Sequence, residues 1–188
     1  MGRPNGYLSV FVDLPDRLVQ IILSKCTLRP WSLDDKASLV RHANNRNIWR
    51  TLRDRFPFPY TEDDADEWLF RAANEQPQTS FAIEVDDKAV GGIGIHLQTD
   101  VHRRSAEIGF WLGQTCWGRG IMTEAVRELT PYAFQHFDLC RLYAFVFSPN
   151  RASARVLEKA GYQLEGIMRK SVIKDGQILD QLLYACVR

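Results

Sequence analysis

The chain has 188 residues, of which 45% are hydrophobic and 25% are charged, and its formal net charge is +1. This length most simply makes one domain with a full core. The near-neutral charge and the lack of any Lys/Arg block argue against a nucleic-acid-binding protein. No apolar run approaches the roughly 20 residues that cross a bilayer, so we expect no membrane partner.

The cysteines and histidines bear on redox state and metal binding. The four cysteines are widely separated and form no C-x-x-C pair. They are Cys26, Cys116, Cys140 and Cys186. A chain of this size does not need a disulfide framework, so we expect reduced thiols and a cytoplasmic protein. The four histidines (His42, His96, His102 and His136) form no metal-ligand spacing with the cysteines, and we expect no metal site.

The first third of the chain predicts two strand pieces and two helices. Residues 1–17 are predicted to be an N-terminal extension with an accessory strand over Tyr7–Val12, and residues 18–188 a single domain. Strand pieces follow at Leu18–Leu23 and Cys26–Pro30. Ser32 can cap a helix that begins at Leu33 and fades near Asn44, because serine favours the N-cap position.

An aromatic, proline-rich stretch, Ile48–Tyr60, then predicts a loop, because prolines favour extended or turn geometry. Its aromatic residues have two interpretations: they pack in the core between two helices, or they line an acceptor pocket. Thr61 predicts the start of the next helix, with Asp64 as its capping-box partner.

Three strands should come next and form an antiparallel meander: Thr79–Val85, Ala89–His96 and Ser105–Leu112. Glycines at 91, 92 and 94 predict a bulge or a close backbone approach in the second strand. A glycine-rich turn follows the third strand.

The last third alternates helices and strands. Apolar residues recur at helical spacing from Met122 to Phe137, which predicts a helix with a bend at Pro131. Leu142–Phe147 reads as a central strand. The remaining elements are a helix over Ala152–Ala160 stopped by Gly161, and a closing hairpin, residues 162–170 and 178–187, around Lys174–Gly176. This order predicts a mixed sheet flanked by helices.

The glycine turn, Gly113–Gly120, lies between a strand and a helix and is therefore suited to bind an anion such as a pyrophosphate. It has the glycine spacing of a P-loop but lacks the lysine and the Ser/Thr that such a loop requires. A dinucleotide fingerprint would need glycine where Thr123 stands. A bare turn without a ligand is the remaining alternative.

The segment Trp117–Met122, followed by Thr123-Glu-Ala125, resembles the acetyl-CoA pyrophosphate loop of the GNAT acetyltransferase superfamily, written Q/R-x-x-G-x-G/A. Gly120 matches its strict glycine, while Trp117 and Met122 depart at the outer positions, as is usual in the RimJ/RimL-type branch that acetylates ribosomal-protein N-termini. Three further segments resemble that branch in the correct order. They are Pro59–Ala65 with Trp68, Ala106–Trp111, and Ser148–Ser153 with Val156–Tyr162.

The resemblance implies a GNAT fold: an α/β (α+β) domain with a mixed, mostly antiparallel sheet of about seven strands, flanked by about four helices. Its fourth and fifth strands would splay apart, and pantetheine would pair with the exposed edge of the fourth. The expected cosubstrate is acetyl-CoA, without a metal. The implied cofactor-binding residues are Phe110, Trp111, Leu112, Trp117, Gly118, Arg119, Gly120, Ile121, Met122, Thr123, Asn150 and Ser153. For Asn150, a plain helix cap is the alternative, and for Arg119 a solvated side chain.

The implied reaction is direct attack of a primary amine on the acetyl thioester, which requires a base for the amine and a proton for the thiolate. Glu107 is the candidate base, because it lies on the strand that forms the cleft; a surface strand glutamate is the alternative. The tyrosine that many members place four residues before the glycine of the last helix is Leu157 here, so Ser153 is the candidate partner of the thiolate. No carboxylate occurs in Lys170–Lys174, where the branch can place a second base.

The sequence specifies the acetyl acceptor less well than the acetyl donor. The candidate acceptor-binding residues are Trp49, Phe56, Phe58, Tyr60 and Trp68. Arginines lie nearby in sequence, which argues against a polycationic acceptor and favours a peptide N-terminus or a small primary amine. The alternative function is a non-catalytic CoA-binding sensor or scaffold. We expect a monomer or homodimer.

Overall fold

A single mixed β-sheet organises the chain in this computed structural model, which describes residues 10–13 and 19–188. In these ranges the strand order is β1-β2-β3-β4-β5-β6-β7-β9-β8. The strands are β1 Val10–Asp13, β2 Val19–Ile22, β3 Thr27–Arg29, β4 Ser80–Val85, β5 Lys88–Leu97, β6 Ser105–Leu112, β7 Arg141–Phe147, β8 Gln163–Lys174 and β9 Gln177–Val187. The helices are α1 Lys36–Ala43, α2 Arg46–Trp49, α3 Glu62–Ala73, α4 Ile121–His136 and α5 Arg151–Lys159.

The predicted fold class is confirmed, although the described residues contain nine strands rather than about seven. The two predicted strand pieces are present as β2 and β3, joined by a turn, and the predicted accessory strand is present in part as β1, Val10–Asp13, beside β2. The added helix, α2, is a single turn capped by Asn45 within the stretch predicted as a loop. The domain boundary between residues 17 and 18 stays a prediction, and residues 7–9 and Leu18 of the predicted strands lie outside the described part.

Helix starts follow the predicted capping chemistry. Thr61 and Asp64 form a reciprocal capping box at α3. Ser32 accepts from Asp34 N and starts a short 3-10 turn that leads into α1. At the other end of the chain, α4 continues through Pro131 as one helix. Gly161, at φ +93°, ends α5 in the left-handed conformation that favours glycine.

The antiparallel meander β4-β5-β6 is confirmed, and both expectations for its glycines are met. The β4–β5 register shifts between Ile83 and Glu84, which is a bulge. A Cβ added to Gly91 would lie 2.5 Å from the carbonyl oxygen of Trp111. One added to Gly94 would lie 2.8 Å from the carbonyl oxygen of Thr79. The glycines therefore allow the neighbouring backbones to approach.

Hydrophobic side chains fill both faces of the sheet. On one face, α4 and α5 bury residues such as Val126, Leu129 and Leu157 against the strands. On the other face, Leu39 of α1 and Leu69 of α3 belong to a second, smaller cluster. The sheet is therefore the middle of three layers.

The sheet opens between β6 and β7. These strands are parallel and pair only at Ser105↔Arg141, Ala106↔Leu142 and Glu107↔Tyr143. β7 pairs along its whole length with β9 on its other side. Beyond residue 107 the two strands diverge, which confirms the slot predicted between the fourth and fifth strands of the GNAT fold.

Candidate cofactor and acceptor site

The glycine turn leaves the end of β6 and leads to α4. Gly113 N donates to Val90 O at 2.7 Å, which fixes the start of the turn on β5. Gly118 and Gly120 have φ of +76° and +78°, a region that favours glycine. Gly120 is the N-cap of α4, which begins at Ile121. The strand–glycine turn–helix arrangement expected from the sequence is therefore present.

The backbone of this turn offers unsatisfied donors. Thr61 caps α3 and Asn150 caps α5 through their side chains, whereas Gly120 has no side chain to cap α4. Within the described part of the chain, no protein oxygen accepts a hydrogen bond from the amides of residues 118–123. These donors lie at the positive end of the helix dipole. Such donors can bind a phosphate group, and their predicted role at the pyrophosphate of acetyl-CoA stays a prediction.

The side chains of the turn divide between packing and solvent. Ile121 and Met122 are buried in the core, so only their backbone faces outward. Trp117 donates from Nε1 to Leu112 O at 2.7 Å, and closes the turn on the end of β6. The Arg119 guanidinium has no carboxylate within 4 Å among the described residues and lies 4.0 Å from Cys116 Sγ.

The predicted pantetheine edge lies along the slot. Phe110 packs partly against the core on the α4 side, whereas Trp111 belongs to the cluster on the opposite face. Leu112 is buried, and its carbonyl is the one that Trp117 contacts. The structure thus places these three residues on the strand edge beside the slot; their binding role stays a prediction.

Asn150 and Ser153 form a local pair at the start of α5. Asn150 Oδ1 accepts from Ser153 N at 3.1 Å, so Asn150 is a helix cap in this structure. Its Nδ2 donates to Ser153 Oγ at 2.9 Å. Because that hydroxyl oxygen accepts from Asn150, its own proton remains free to be donated elsewhere. Leu157 is fully buried and supplies no such proton.

Glu107 lies in a row of polar side chains across three strands. His96, Glu107 and Tyr143 are direct cross-strand partners on β5, β6 and β7, and therefore share one face of the sheet. The carboxylate of Glu107 is 15% exposed and lies 2.6 Å from Arg53 Nη2. Sequence reasoning found Glu107 but missed His96 and Tyr143, which only strand register brings beside it.

Burial and neighbouring charges shift the pKa values of two groups in this row. Burial, and then the neighbouring Arg55, lower the pKa of His96. Arg55 Nη2 lies 3.1 Å from His96 Nε2, and since a guanidinium only donates, that nitrogen accepts and the ring is neutral. Burial, and then the charge of Glu107, raise the pKa of Tyr143. The row thus holds neutral donors and acceptors beside one carboxylate.

The predicted acceptor residues separate into two groups. Tyr60 is buried, and Trp68 packs edge-on against Trp31 with ring centroids 6.2 Å apart. Tyr60 belongs to the second cluster and half-buried Trp68 packs against it, as in the core-packing interpretation; an acceptor role for either stays a prediction. Trp49 and Phe58 lie together, with centroids 5.8 Å apart, and form the second group.

Phe56 joins the aromatic loop to the slot, because its ring contacts Trp111 with centroids 5.6 Å apart. The tip of the β8–β9 hairpin joins the loop from the other side. Lys174 Nζ lies 2.7 Å from Asp54 Oδ1 and 3.8 Å from the centroid of Trp49. Nothing in the sequence indicated that Lys174 would be buried under this loop.

Two absences complete the description of the site. In residues 10–13 and 19–188, no cluster of three or more His, Cys, Asp or Glu side chains is placed to hold a metal ion. No helix in the same ranges has the length and apolar character needed to cross a membrane.

Comparisons with known proteins agree with this geometry. Residues 25–163 match the family described as "Acetyltransferase (GNAT) domain". The chain is 36% identical over 99 residues to "Uncharacterized N-acetyltransferase YoaA" of Bacillus subtilis, covering 53% of this chain and 55% of that one. It is 29% identical over 105 residues to the "Ribosomal-protein-serine acetyltransferase" of Escherichia coli, covering 56% and 58%. The matches therefore span little more than half the length of these curated relatives.

Among solved structures, Mycobacterium smegmatis RimJ in complex with CoA-disulfide superposes with a TM-score of 0.75 at 26% identity. The superposition covers 86% of this chain and 81% of that one. The similarity extends over most of both chains, so the fold is shared beyond the segment that carries the glycine turn.

Proposed function

The chain belongs to the GNAT acetyltransferase family, and we propose that it transfers an acetyl group from acetyl-CoA to a primary amine, by preference the α-amine of a protein N-terminus. One observation carries the proposal: the amides of residues 118–123 are free at an uncapped helix start. They lie at the end of β6, the strand that borders the slot. A phosphate-binding turn beside an open sheet edge suits a ligand with a pyrophosphate and an extended arm.

The donor site consists mainly of backbone. The amides of Gly118 to Thr123 hold the pyrophosphate, and the edge of β6 over Phe110–Leu112 pairs with the pantetheine arm. Acetyl-CoA supplies a thioester whose carbonyl carbon is open to attack by an amine. RimJ of Mycobacterium smegmatis, of the same fold, is described in complex with a CoA-disulfide.

Glu107 accepts the proton of the attacking amine, directly or through a water molecule. An α-amine has a pKa near 8 against about 10.4 for a lysine side chain, so a weak base suffices for a protein N-terminus. The carboxylate shares the cleft face with Tyr143 and is only 15% exposed. Arg53 holds it in place and must share it with the incoming ammonium.

Ser153 donates its hydroxyl proton to the leaving thiolate and takes up a proton from water in the same step. Asn150 supplies a donor to its oxygen, so the hydroxyl proton is directed away from Asn150. β7 pairs with β6 only at its start and ends at Phe147, and α5 begins at Arg151, which supports a position of Ser153 close to the open end of the slot. This arrangement replaces the tyrosine that Leu157 cannot provide.

The acceptor side favours a peptide terminus over a polycation. Glu107 and Asp54, two carboxylates near the aromatic loop, are already paired with Arg53 and Lys174, and Arg55 contacts His96, so a polyamine would find little free negative charge there. The Escherichia coli relative carries the name of a ribosomal-protein-serine acetyltransferase. We propose a substrate of that class: a flexible N-terminus with a free α-amine.

The four cysteines bear on the cellular compartment in which the protein works. The cysteines are free thiols, as expected in a reducing compartment, and we propose a cytoplasmic monomer or homodimer.

A CoA-binding sensor or scaffold is the second candidate. It is favoured by the ion pair that occupies Glu107 and by the leucine at position 157. A thiol-release assay with acetyl-CoA and a panel of peptides and small amines, with calorimetric binding of CoA alongside, distinguishes the two. Turnover with N-terminal peptides supports the transferase. Tight binding without turnover across the panel supports the sensor, and neither binding nor turnover contradicts both.

A further inference from the structure

The turn between β2 and β3 lies against the start of α4. Leu23 N donates to Cys26 O at 3.0 Å, which closes the turn and projects Ser24 and Lys25. Their partner is Glu124, in the first turn of α4 and one hundred residues away in sequence from Ser24. This contact joins the edge region of the sheet to the phosphate-binding turn.

Glu124 is fully engaged by that turn. Its Oε1 accepts from Ser24 N at 3.1 Å and from Ser24 Oγ at 2.5 Å. Its Oε2 accepts from Lys25 N at 3.0 Å. A first-turn glutamate ordinarily serves the helix dipole. Here its carboxylate also fixes the backbone from which Lys25 projects.

The side chain of Lys25 reaches over the glycine turn. Its Nζ donates to Arg119 O at 3.2 Å. It would lie 2.7 Å from a Cβ added to Gly120, so the ammonium covers the left-handed glycine directly. No carboxylate among the described residues lies within 4 Å of this ammonium. A cation at the positive end of a helix is unfavourable unless an anion joins it.

The ammonium is accessible from solvent. Lys25, Arg119 and Ile121 line an open depression of about 570 Å³ beside the turn. Glu84, Asp86 and Asp87 also line it and would repel a phosphate, whereas Lys25 and Arg119 would attract one. An anion that enters here is therefore directed toward Lys25 and the free amides.

We propose that Lys25 binds the pyrophosphate of the CoA cosubstrate, with Glu124 as the positioning residue that holds the Lys25 turn over Gly120. This inference rests on the proposed function. It adds a side-chain cation, supplied by a distant turn, to a site built from backbone amides. On binding, the ammonium exchanges its contact with Arg119 O for a phosphate oxygen. The donor site then has a positive charge from Lys25 in addition to that of Arg119.

Calorimetric titration with CoA and with dephospho-CoA tests the assignment without relying on activity. A charge-assisted hydrogen bond to phosphate predicts that Lys25→Met raises Kd by about tenfold or more for both ligands. Lys25→Arg should recover most of the affinity. Lys159→Met, an exposed lysine on α5, is the matched control and should bind like the wild type.

Glu124→Gln separates positioning from simple charge. If Glu124 acted only as a negative charge near the phosphates, the substitution would tighten CoA binding. If it positions Lys25, binding weakens by severalfold, and in the Lys25→Met background it changes little further.

The outcomes are distinct. A Kd for Lys25→Met within twofold of the wild type, or a loss confined to CoA and absent with dephospho-CoA, overturns the assignment of Lys25 to the pyrophosphate. Tighter binding by Glu124→Gln overturns its positioning role. A wild-type protein that binds neither ligand contradicts the proposed function itself. Melting temperatures confirm that each variant is folded.

Discussion

The guanidinium of Arg53 lies 2.6 Å from the carboxylate of Glu107, and it comes from a loop more than fifty residues away in sequence. This pair holds the candidate base in the cleft before any amine arrives. Because the carboxylate is largely buried, its orientation is set by Arg53 and by the strand rather than by solvent.

Glu107→Gln should therefore lower kcat by about 100-fold while leaving the calorimetric Kd for CoA within twofold, because it removes the proton acceptor but keeps the shape. Glu165→Gln is the control, since Glu165 pairs with Arg141 nearer the surface. A kcat for Glu107→Gln close to that of the wild type would show that another group accepts the proton.

Ser153→Ala tests the proton donor to the thiolate. We expect kcat to fall by about tenfold or more, with little loss of stability, because Asn150 still caps α5 through Ser153 N. Ser171→Ala is the matched control, since among the described residues that hydroxyl bonds only Met168 O. Steady-state thiol release measures both; equal rates would exclude Ser153 as the donor.

Gly120→Asp tests the phosphate-binding turn. Any side chain at φ +78° is strained by about 1–2 kcal/mol, and a carboxylate there repels a phosphate. Calorimetry should show CoA binding weakened by more than about 100-fold, with a folded protein by melting. Gly161→Asp carries a similar backbone strain at φ +93°, in open space after α5, and should bind CoA normally. Normal binding by Gly120→Asp would contradict the assignment of the turn.

Gly91→Ala tests the close approach of β5 to β6. Its Cβ would lie 2.5 Å from a backbone oxygen, so we expect a loss of about 1–3 kcal/mol in the free energy of unfolding. Gly166→Ala, with nothing within 4 Å, should instead be neutral or gain about 0.4–1 kcal/mol. Urea unfolding compares them, and equal effects would refute the steric argument.

The pH dependence of stability tests the neutral state of His96. Its folded pKa is lowered, so folded and unfolded chains differ only below the unfolded value of about 6.5. As the pH falls through that value, the unfolded chain takes up the proton first, and stability decreases. His96→Gln should flatten this decrease below about pH 6.5 in urea titrations. Arg55→Met should also flatten it, because Arg55 helps to lower the pKa; an unchanged slope in both variants would contradict the argument.

Local sequence signals predicted the elements that depend on neighbouring residues. The Thr61–Asp64 capping box and the glycine turn 113–120 are examples, since each depends on residue types a few positions apart. The bulge in the β4–β5 pair was likewise visible from its glycines.

Contacts over long sequence separations could not be predicted in the same way. Arg53–Glu107, Lys174–Asp54 and Lys25 over Gly120 each depend on how distant turns fold over the sheet. The aromatic residues show the same limit. Composition could not separate Tyr60, which packs in the core, from Trp49, which lies at the hairpin tip.

Among the described strands, the three residue pairs that join β6 to β7 connect a six-stranded part of the sheet to a three-stranded part. Along the rest of the boundary between β6 and β7, which we call the seam, the backbone amides and carbonyls of the two strands do not pair with each other. The two parts are therefore joined by backbone hydrogen bonds at one end of this seam, and elsewhere by side-chain packing such as the contact of α4 with α5. A ligand arm in the seam would act as a missing strand, and amide hydrogen exchange in both parts would slow together when it binds.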